Sequence, residues 1–355
     1  MSIRAIGRFV IAAACVCAGC GEQEVRAITR LPAPAPTMST TPPGAGGAPD
    51  MPTPADGGNA GEPPETGTGR DRGRVQVRDG NLLTDKGTRL RGVTYGLDLP
   101  SPQHFEPAFI ASLSNQAGLN AFHAYVENSS EATGSHSDQA DELVEMTSAA
   151  GMYLIVGMGG GMAGGSFDLE KVRAFWSFYA PRYASRTHVI YEIQNIPDGG
   201  CNVAYKPETL AMEKEIYTLI RGFAPSTHVA LLSIIAQPTA QALTADLDAL
   251  EGSVDWSKAS VAFHTQFCAG RDNLSALLTV TRARGIAAFG SEMTFQTSFE
   301  RTAQLETERV GWFNFEWVVY NRDLGAFRDQ HSAAGISWCP DFGNWPENSE
   351  TCSTP

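Results

Sequence analysis

The sequence predicts an α/β protein of the (β/α)8 barrel class, opened by a short N-terminal β-hairpin. Two observations carry this. Downstream of Arg74, eight short apolar runs alternate with helix-like segments, and eight such units in about 280 residues are what this barrel needs. A chain of 355 residues also has room for one large barrel plus extra segments. A doubly wound sheet is the competing arrangement of the same alternation.

The hairpin comes first. Val75-Gln76-Val77 and Leu82-Leu83 flank Asp79-Gly80, a dipeptide that suits a two-residue turn. The strand-like runs follow at Gly92–Tyr95, Asn120–Tyr125, Tyr153–Gly157, Val189–Gln194, Val229–Ser233, Ser260–His264, Ala287–Gly290 and Gly335–Trp338. Helical segments lie between them at Asp141–Ala150, Leu169–Tyr183, Glu208–Gly222 and Leu274–Arg284, with a long one near Glu306–Phe327.

Ahead of the barrel the composition changes twice. Arg4 and Arg8 precede an apolar run from Phe9 to Gly19, too short to span a membrane but suited to a signal segment. It ends in Ala18-Gly19-Cys20, which resembles a bacterial lipobox. The expectation is a signal peptide over residues 1–19 with lipid on Cys20, although Cys17 stands where a lipobox has an aliphatic residue; plain secretion is the alternative. Residues 20–73 read as a disordered tether: from Leu31 to Arg70, ten of forty residues are Pro, eight Gly and six Thr, too little apolar surface to offset ordering entropy. Residues 74–355 are left for the barrel. The expected location is the bacterial cell envelope, with the membrane met through the lipid alone.

The net charge of −13 argues against a nucleic-acid binder that lives on phosphate attraction. A hydrophobic share of 42% argues against a disordered chain.

A barrel places its chemistry on the loops after its strands. At the fourth strand the chain reads Val189-Ile190-Tyr191-Glu192-Ile193-Gln194-Asn195-Ile196-Pro197, and at the seventh Ala287-Ala288-Phe289-Gly290-Ser291-Glu292. The lead into strand one carries Asp79-Gly80-Asn81, Asp85-Lys86-Gly87 and Leu90-Arg91-Gly92-Val93; His264 ends strand six, and Trp338 ends the run taken as strand eight. In this order the motifs resemble glycoside hydrolase family 5, the cellulase and mannanase family, from about Arg74 to Trp345. The resemblance implies a retaining β-glycosidase, in which one carboxyl attacks the anomeric carbon and a second donates and recovers a proton. It makes Glu292 the nucleophile. Asn195 becomes a partner for a sugar hydroxyl, His264 an orienting or substrate-binding group, and Trp338 a platform for a sugar ring.

The chain departs from the family pattern at the acid/base position, where Ile196 stands between Asn195 and Pro197. Isoleucine has no proton to give, and losing a general acid costs about 10²–10⁴ in rate. His123 stands near the end of strand two in place of the family's Arg, and is counted with Asn195, His264 and Trp338 among the substrate-binding candidates. Met158-Gly159-Gly160-Gly161 follows strand three where a His belongs, and Thr265-Gln266 follows His264 where a Tyr belongs. Asp198, two residues beyond Ile196, is the candidate substitute acid. Glu192 shares the parity of Ile196 but lies roughly 13 Å deeper along the strand, out of reach.

Gly159 to Gly164 matches G-x-G-x-x-G, but Asp168 and Glu170 open the helix where a phosphate would sit, so no nucleotide is expected. Neither metal nor cofactor is expected. Four cysteines remain in the barrel region. Three pairings are open, and Cys201–Cys268 with Cys339–Cys352 is the preferred one. The sequence therefore points to a monomeric barrel engaging a β-linked polysaccharide, with hydrolysis impaired by Ile196. An active β-glycanase using Asp198, and a surface adhesion protein that no longer acts on sugars, are the alternatives.

Overall fold

Asp79 and Gly80 both take left-handed backbone angles, φ +52° and +70°, so the chain reverses in the two-residue turn that Asp-Gly favours. The turn joins β1 (Gln76–Arg78) to β2 (Asn81–Leu83), with Arg78 opposite Asn81. This computed structural model describes residues 71–97, 105–160, 167–198, 204–235, 237–265, 273–293, 298–315 and 322–333. Expectations placed on residues 1–70 and on Cys201, Cys268, Trp338, Cys339 and Cys352 lie outside the described residues.

Eight parallel strands close a barrel in chain order: β3 (Arg91–Gly96), β4 (Ala121–Glu127), β5 (Tyr153–Met158), β6 (Val189–Glu192), β7 (Val229–Ile234), β8 (Ala259–Thr265), β9 (Ala287–Met293) and β10 (Gly311–Phe315), with β10 paired back onto β3. The described α-helices are α1 (Pro107–Asn115), α2 (Ser137–Ala149), α3 (Leu169–Tyr183), α4 (Pro207–Phe223), α5 (Ala240–Leu250), α6 (Leu274–Ala283), α7 (Ser298–Thr307) and α8 (Leu324–Ala333), with one 3-10 turn at Trp256–Lys258. No described helix is long and apolar enough to cross a membrane. Asp168 caps α3, accepting from the N–H groups of Glu170 and Lys171, the role its place before an apolar helix suggests.

The last strand corrects the sequence reading. Residues 306–327 do not form one long helix. α7 stops at Thr307, Arg309 turns left-handed at φ +59°, and Gly311–Phe315 is the strand that closes the barrel. Trp312 and Phe313 are both fully buried on opposite sides of that strand, a double burial that a helix with one apolar stripe does not need. With the ring already complete, Trp338 does not end strand eight.

The barrel interior is apolar in its lower half, built from Leu90, Ala121, Tyr153, Ile155, Ile190, Ala262, Phe289 and Phe313 among others. Gly92 is required there, since a Cβ at this position would stand 2.4 Å from the Phe313 ring and 2.7 Å from the Ala121 carbonyl. The N-terminal lead closes the floor. Tyr153, the first residue of β5, donates to the Gly73 carbonyl (2.7 Å) and accepts from the Asp85 N–H (2.9 Å), and Arg72 pairs with Asp85. Asp71 is held by Arg186 (2.8 Å) and lies 3.2 Å from His188, both just before β6. Asp71 to Gly73, assigned to the tether on composition, are therefore packed against the barrel at the pole opposite the strand C-termini.

Candidate active site

Polar side chains replace apolar ones in the upper half of the barrel, toward the strand C-termini. The β8–β9 ladder shifts register between Phe263 and His264, which pairs His264 with Glu292. The imidazole Nδ1 lies 3.7 Å from a Glu292 carboxylate oxygen. From β4, the Tyr125 hydroxyl donates to that same oxygen at 2.9 Å. A phenol aimed at a buried carboxylate holds it in one orientation.

A second irregularity lies on β7. Leu232 and Ser233 both take positive φ, +75° and +39°, and the ladder to β8 is interrupted between Leu231 and Ile234. Such angles are costly for residues other than glycine and persist only where the surroundings enforce them. Here the buried Glu213 carboxylate of α4 accepts the Leu232 N–H at 3.1 Å. The result turns the Ser233 hydroxyl inward, 3.3 Å from Asn195 Oδ1 and 3.2 Å from His264 Nε2. Asn195 itself donates its backbone N–H to the Met158 carbonyl, and Gly160 leaves room for the Asn195 carbonyl, which a Cβ would approach to 2.8 Å.

Deeper still lie His123 and Glu192, both fully buried. Nε2 of His123 is 3.3 Å from a Glu192 oxygen and Nδ1 is 3.2 Å from the Ser291 carbonyl, to which Thr94 also donates at 2.7 Å. Burial pushes the Glu192 carboxyl up to about 8 and both His123 and His264 down to about 3, because a low-dielectric interior disfavours the charged form of each. At neutral pH all three are uncharged, and Glu292 is their polar neighbour at the mouth.

The structure thus brings together Glu292, His264 and Asn195 of the expected site. His123 and His264 are wholly buried, beneath Glu292. Asp198 is turned elsewhere. Its carboxylate oxygens accept from the Lys206 N–H (3.2 Å) and the Thr209 hydroxyl (3.1 Å), with the Lys206 ammonium at 3.4 Å, so it caps the start of α4. Ile196 stands at the loop end of β6 with φ +48°, an outlier for a β-branched residue. Tyr125 and Ser233 were missed in the sequence: a tyrosine or serine in an apolar strand carries no mark of its direction, and the bulge that turns Ser233 inward depends on Glu213 from another element. Among the described residues no cluster of His, Cys, Asp or Glu could hold a metal ion.

Against known proteins, the family model described as cellulase (glycosyl hydrolase family 5) matches residues 108–315. Endoglucanase E-5 of Thermobifida fusca is 28% identical over 311 residues, covering 78% of this chain and 63% of that relative. The chain therefore spans under two thirds of that relative's length. Among solved structures, the catalytic domain of Thermobifida fusca endoglucanase Cel5A superposes with a TM-score of 0.54 at 22% identity, covering 68% of this chain and 84% of that one. A structure of the same domain in complex with cellotetraose gives a TM-score of 0.52 at 20% identity, covering 68% and 84%. A hyperthermophilic endocellulase from Pyrococcus horikoshii gives 0.52 at 13% identity, covering 69% and 90%.

Proposed function

The chain belongs to glycosyl hydrolase family 5, and on that premise we propose that it engages a β-linked polysaccharide of the cellulose or mannan type at Glu292, with hydrolysis impaired for want of a general acid. The observation that carries the reading is an asymmetry at the mouth of the barrel. Glu292 is buried and held by the Tyr125 hydroxyl, with His264 3.7 Å away, while the chain after β6 carries Ile196 between Asn195 and Pro197, where the family resemblance calls for a proton donor. The cellotetraose complex of a related domain supports a β-glucan as the first ligand to try.

The chemistry follows from that pair of facts. Glu292 can attack an anomeric carbon, and an aryl leaving group of low basicity departs without protonation. A sugar alkoxide is a much poorer leaving group. Water would then reach the glycosyl-enzyme with no carboxylate to deprotonate it, so the adduct should persist. The hydrogen bonds of Asp198 to the start of α4 favour its role as a cap over that of a displaced acid. The leader ending at Cys20 and the Pro/Gly/Thr-rich stretch support an exported protein held at the cell envelope.

The test compares the wild-type protein with Ile196→Glu on β-glucans and β-mannans, reading reducing-end release and binding, and on activated aryl β-glycosides with and without azide. The expected wild type binds glycan, forms a slowly hydrolysed adduct on Glu292 that azide releases, and leaves polysaccharide intact. Ile196→Glu should gain polysaccharide hydrolysis by about 10²–10⁴. Efficient hydrolysis by the wild type would overturn the impairment, and no adduct with any sugar would remove Glu292 as nucleophile.

A further inference from the structure

The contacts beneath Glu292 assign protons as well as positions. The Ser291 carbonyl can only accept, and it accepts from the Thr94 hydroxyl at 2.7 Å. His123 Nδ1 lies 3.2 Å from that same oxygen and 3.4 Å from the Thr94 hydroxyl; because that hydroxyl gives its proton to the carbonyl, Nδ1 can bond the carbonyl only as the protonated nitrogen of a neutral ring. Nε2 is then a bare lone pair, and what faces it, at 3.3 Å, is a carboxyl oxygen of Glu192. Two lone pairs do not hold each other in a dry interior. A proton on Glu192 turns the contact into a donated hydrogen bond.

We propose that Glu192 and His123 form a positioning pair for the nucleophile: protonated Glu192 donates to His123 Nε2, which fixes the tautomer whose Nδ1–H grips the Ser291 carbonyl, the peptide group leading directly into Glu292. This rests on the reading of Glu292 as a nucleophile. The pair spans three strands, from β6 through β4 to β9. Gly157 on β5 makes room for it, since a Cβ there would stand 3.3 Å from His123 Nε2 and 3.4 Å from Glu192 Cβ. Neither Glu192 oxygen nor His123 Nε2 has a closed hydrogen bond, so the 3.3 Å contact between them needs the proton on Glu192, and the Ser233 hydroxyl also lies against the Glu192 carboxyl.

When Glu192 loses its proton to solvent, its carboxylate calls for a donor, and His123 meets it by carrying its one proton on Nε2 instead. The Nδ1 lone pair then opposes the Ser291 carbonyl and the grip on the nucleophile strand is lost. Glu192 is held protonated up to about 8. The groups around it are His123 and Tyr125 from β4, Ser233 from β7, His264 from β8, and, at longer range, Glu213 from α4 and Tyr205. None of them places a positive charge beside it to favour early ionisation: His123 and His264 are neutral at this pH, and Glu213 is itself an acid.

The experiment has two arms on the full-length protein. The first reads the rate at which a dinitrophenyl 2-deoxy-2-fluoro-β-cellobioside labels Glu292 between pH 7 and 9. A single ionisation near 8 predicts about a tenfold fall in the wild type. Glu192→Gln, whose amide N–H donates to Nε2 at every pH, should show no such fall. An alkaline limb that persists in Glu192→Gln would overturn the proposal and point to another group, such as Tyr125. The second arm reads the His123 tautomer directly by nitrogen-15 NMR, with His123→Gln to assign the signal. A proton on Nδ1 at pH 7 that moves to Nε2 by pH 9 supports the pair, and a proton on Nε2 at pH 7 overturns it. Should no sugar label Glu292, the glycosidase reading fails while the tautomer arm still decides whether the pair exists.

Discussion

Ile196 combines two departures at one position: an apolar side chain at the loop end of β6, and a left-handed backbone that a β-branched residue adopts at a cost of about 1–3 kcal/mol. Tyr125 has the opposite character. It is a single hydroxyl that donates to the Glu292 carboxylate at 2.9 Å. A hydrogen bond to a charged group contributes about 1.5–3 kcal/mol. Tyr125→Phe should therefore slow covalent labelling of Glu292 by an activated aryl glycoside by roughly ten- to a hundredfold while the fold is kept. An unchanged labelling rate would make Tyr125 a packing residue. At this scale the sequence marked the positions that a motif surrounds, as at the strand ends that carry Glu292 and Asn195. It was illegible for Tyr125 and Ser233, because an isolated polar residue in an apolar strand looks the same whether it faces the site or a helix.

Elements were legible wherever the chain alternates cleanly between apolar strand and amphipathic helix. The hairpin turn and seven of the eight barrel strands fall where the sequence reading put them. The eighth did not, because Gly311-Trp312-Phe313-Asn314-Phe315 lies between two helices and its aromatic residues fit either period over so short a span. What makes it a strand is the seam it closes. Arg91 of β3 forms a two-pronged ion pair with Glu306 of α7, at 2.8 and 2.9 Å, and the Trp312 indole N–H donates to the same carboxylate at 2.6 Å. Close approach of β10 and β3 also makes Gly92 indispensable, so Gly92→Ala should destabilise the protein by about 3 kcal/mol or more. The Ala121 carbonyl is backbone and cannot swing away from the added methyl. Chemical denaturation measures this directly, and an unchanged midpoint would mean the seam is looser than described.

Across the whole molecule, buried titratable groups predict how stability depends on pH. His123, His228 and His264 are pushed down to about 3 and His331 to about 4 by burial. Between those values and their ordinary 6.5 the unfolded chain binds more protons than the folded one, so stability rises with pH. Glu192 and Glu213 are pushed up to about 8 and Asp246 to about 6, again by burial. From their ordinary 4.5 and 3.8 up to those values the folded state holds the extra protons, and stability falls as pH rises. These histidines, joined by His188, outweigh the three acids below about 6.5; above it the two glutamates set the trend, and His136, whose pKa is raised, adds to the decline. Melting temperature should therefore peak near pH 6.5 and decline toward 8, with Glu192→Gln and Glu213→Gln together flattening the decline. A melting temperature still rising between pH 6.5 and 8 would contradict the burial of both glutamates.

The sequence by itself determined the barrel class, the chain order of its units, the hairpin at its start and the carboxyl at the end of its seventh strand. Each of these is written in local patterns, apolar period, turn chemistry and contiguous motif, that need no distant partner. Only the tertiary structure decided which run closes the barrel, that Asp198 caps a helix, that both histidines sit beneath the site, and that Tyr125 and the strained Ser233 face into it. Those depend on contacts between residues far apart in the chain, where a ring closure or a single carboxylate from another element sets the direction of a side chain.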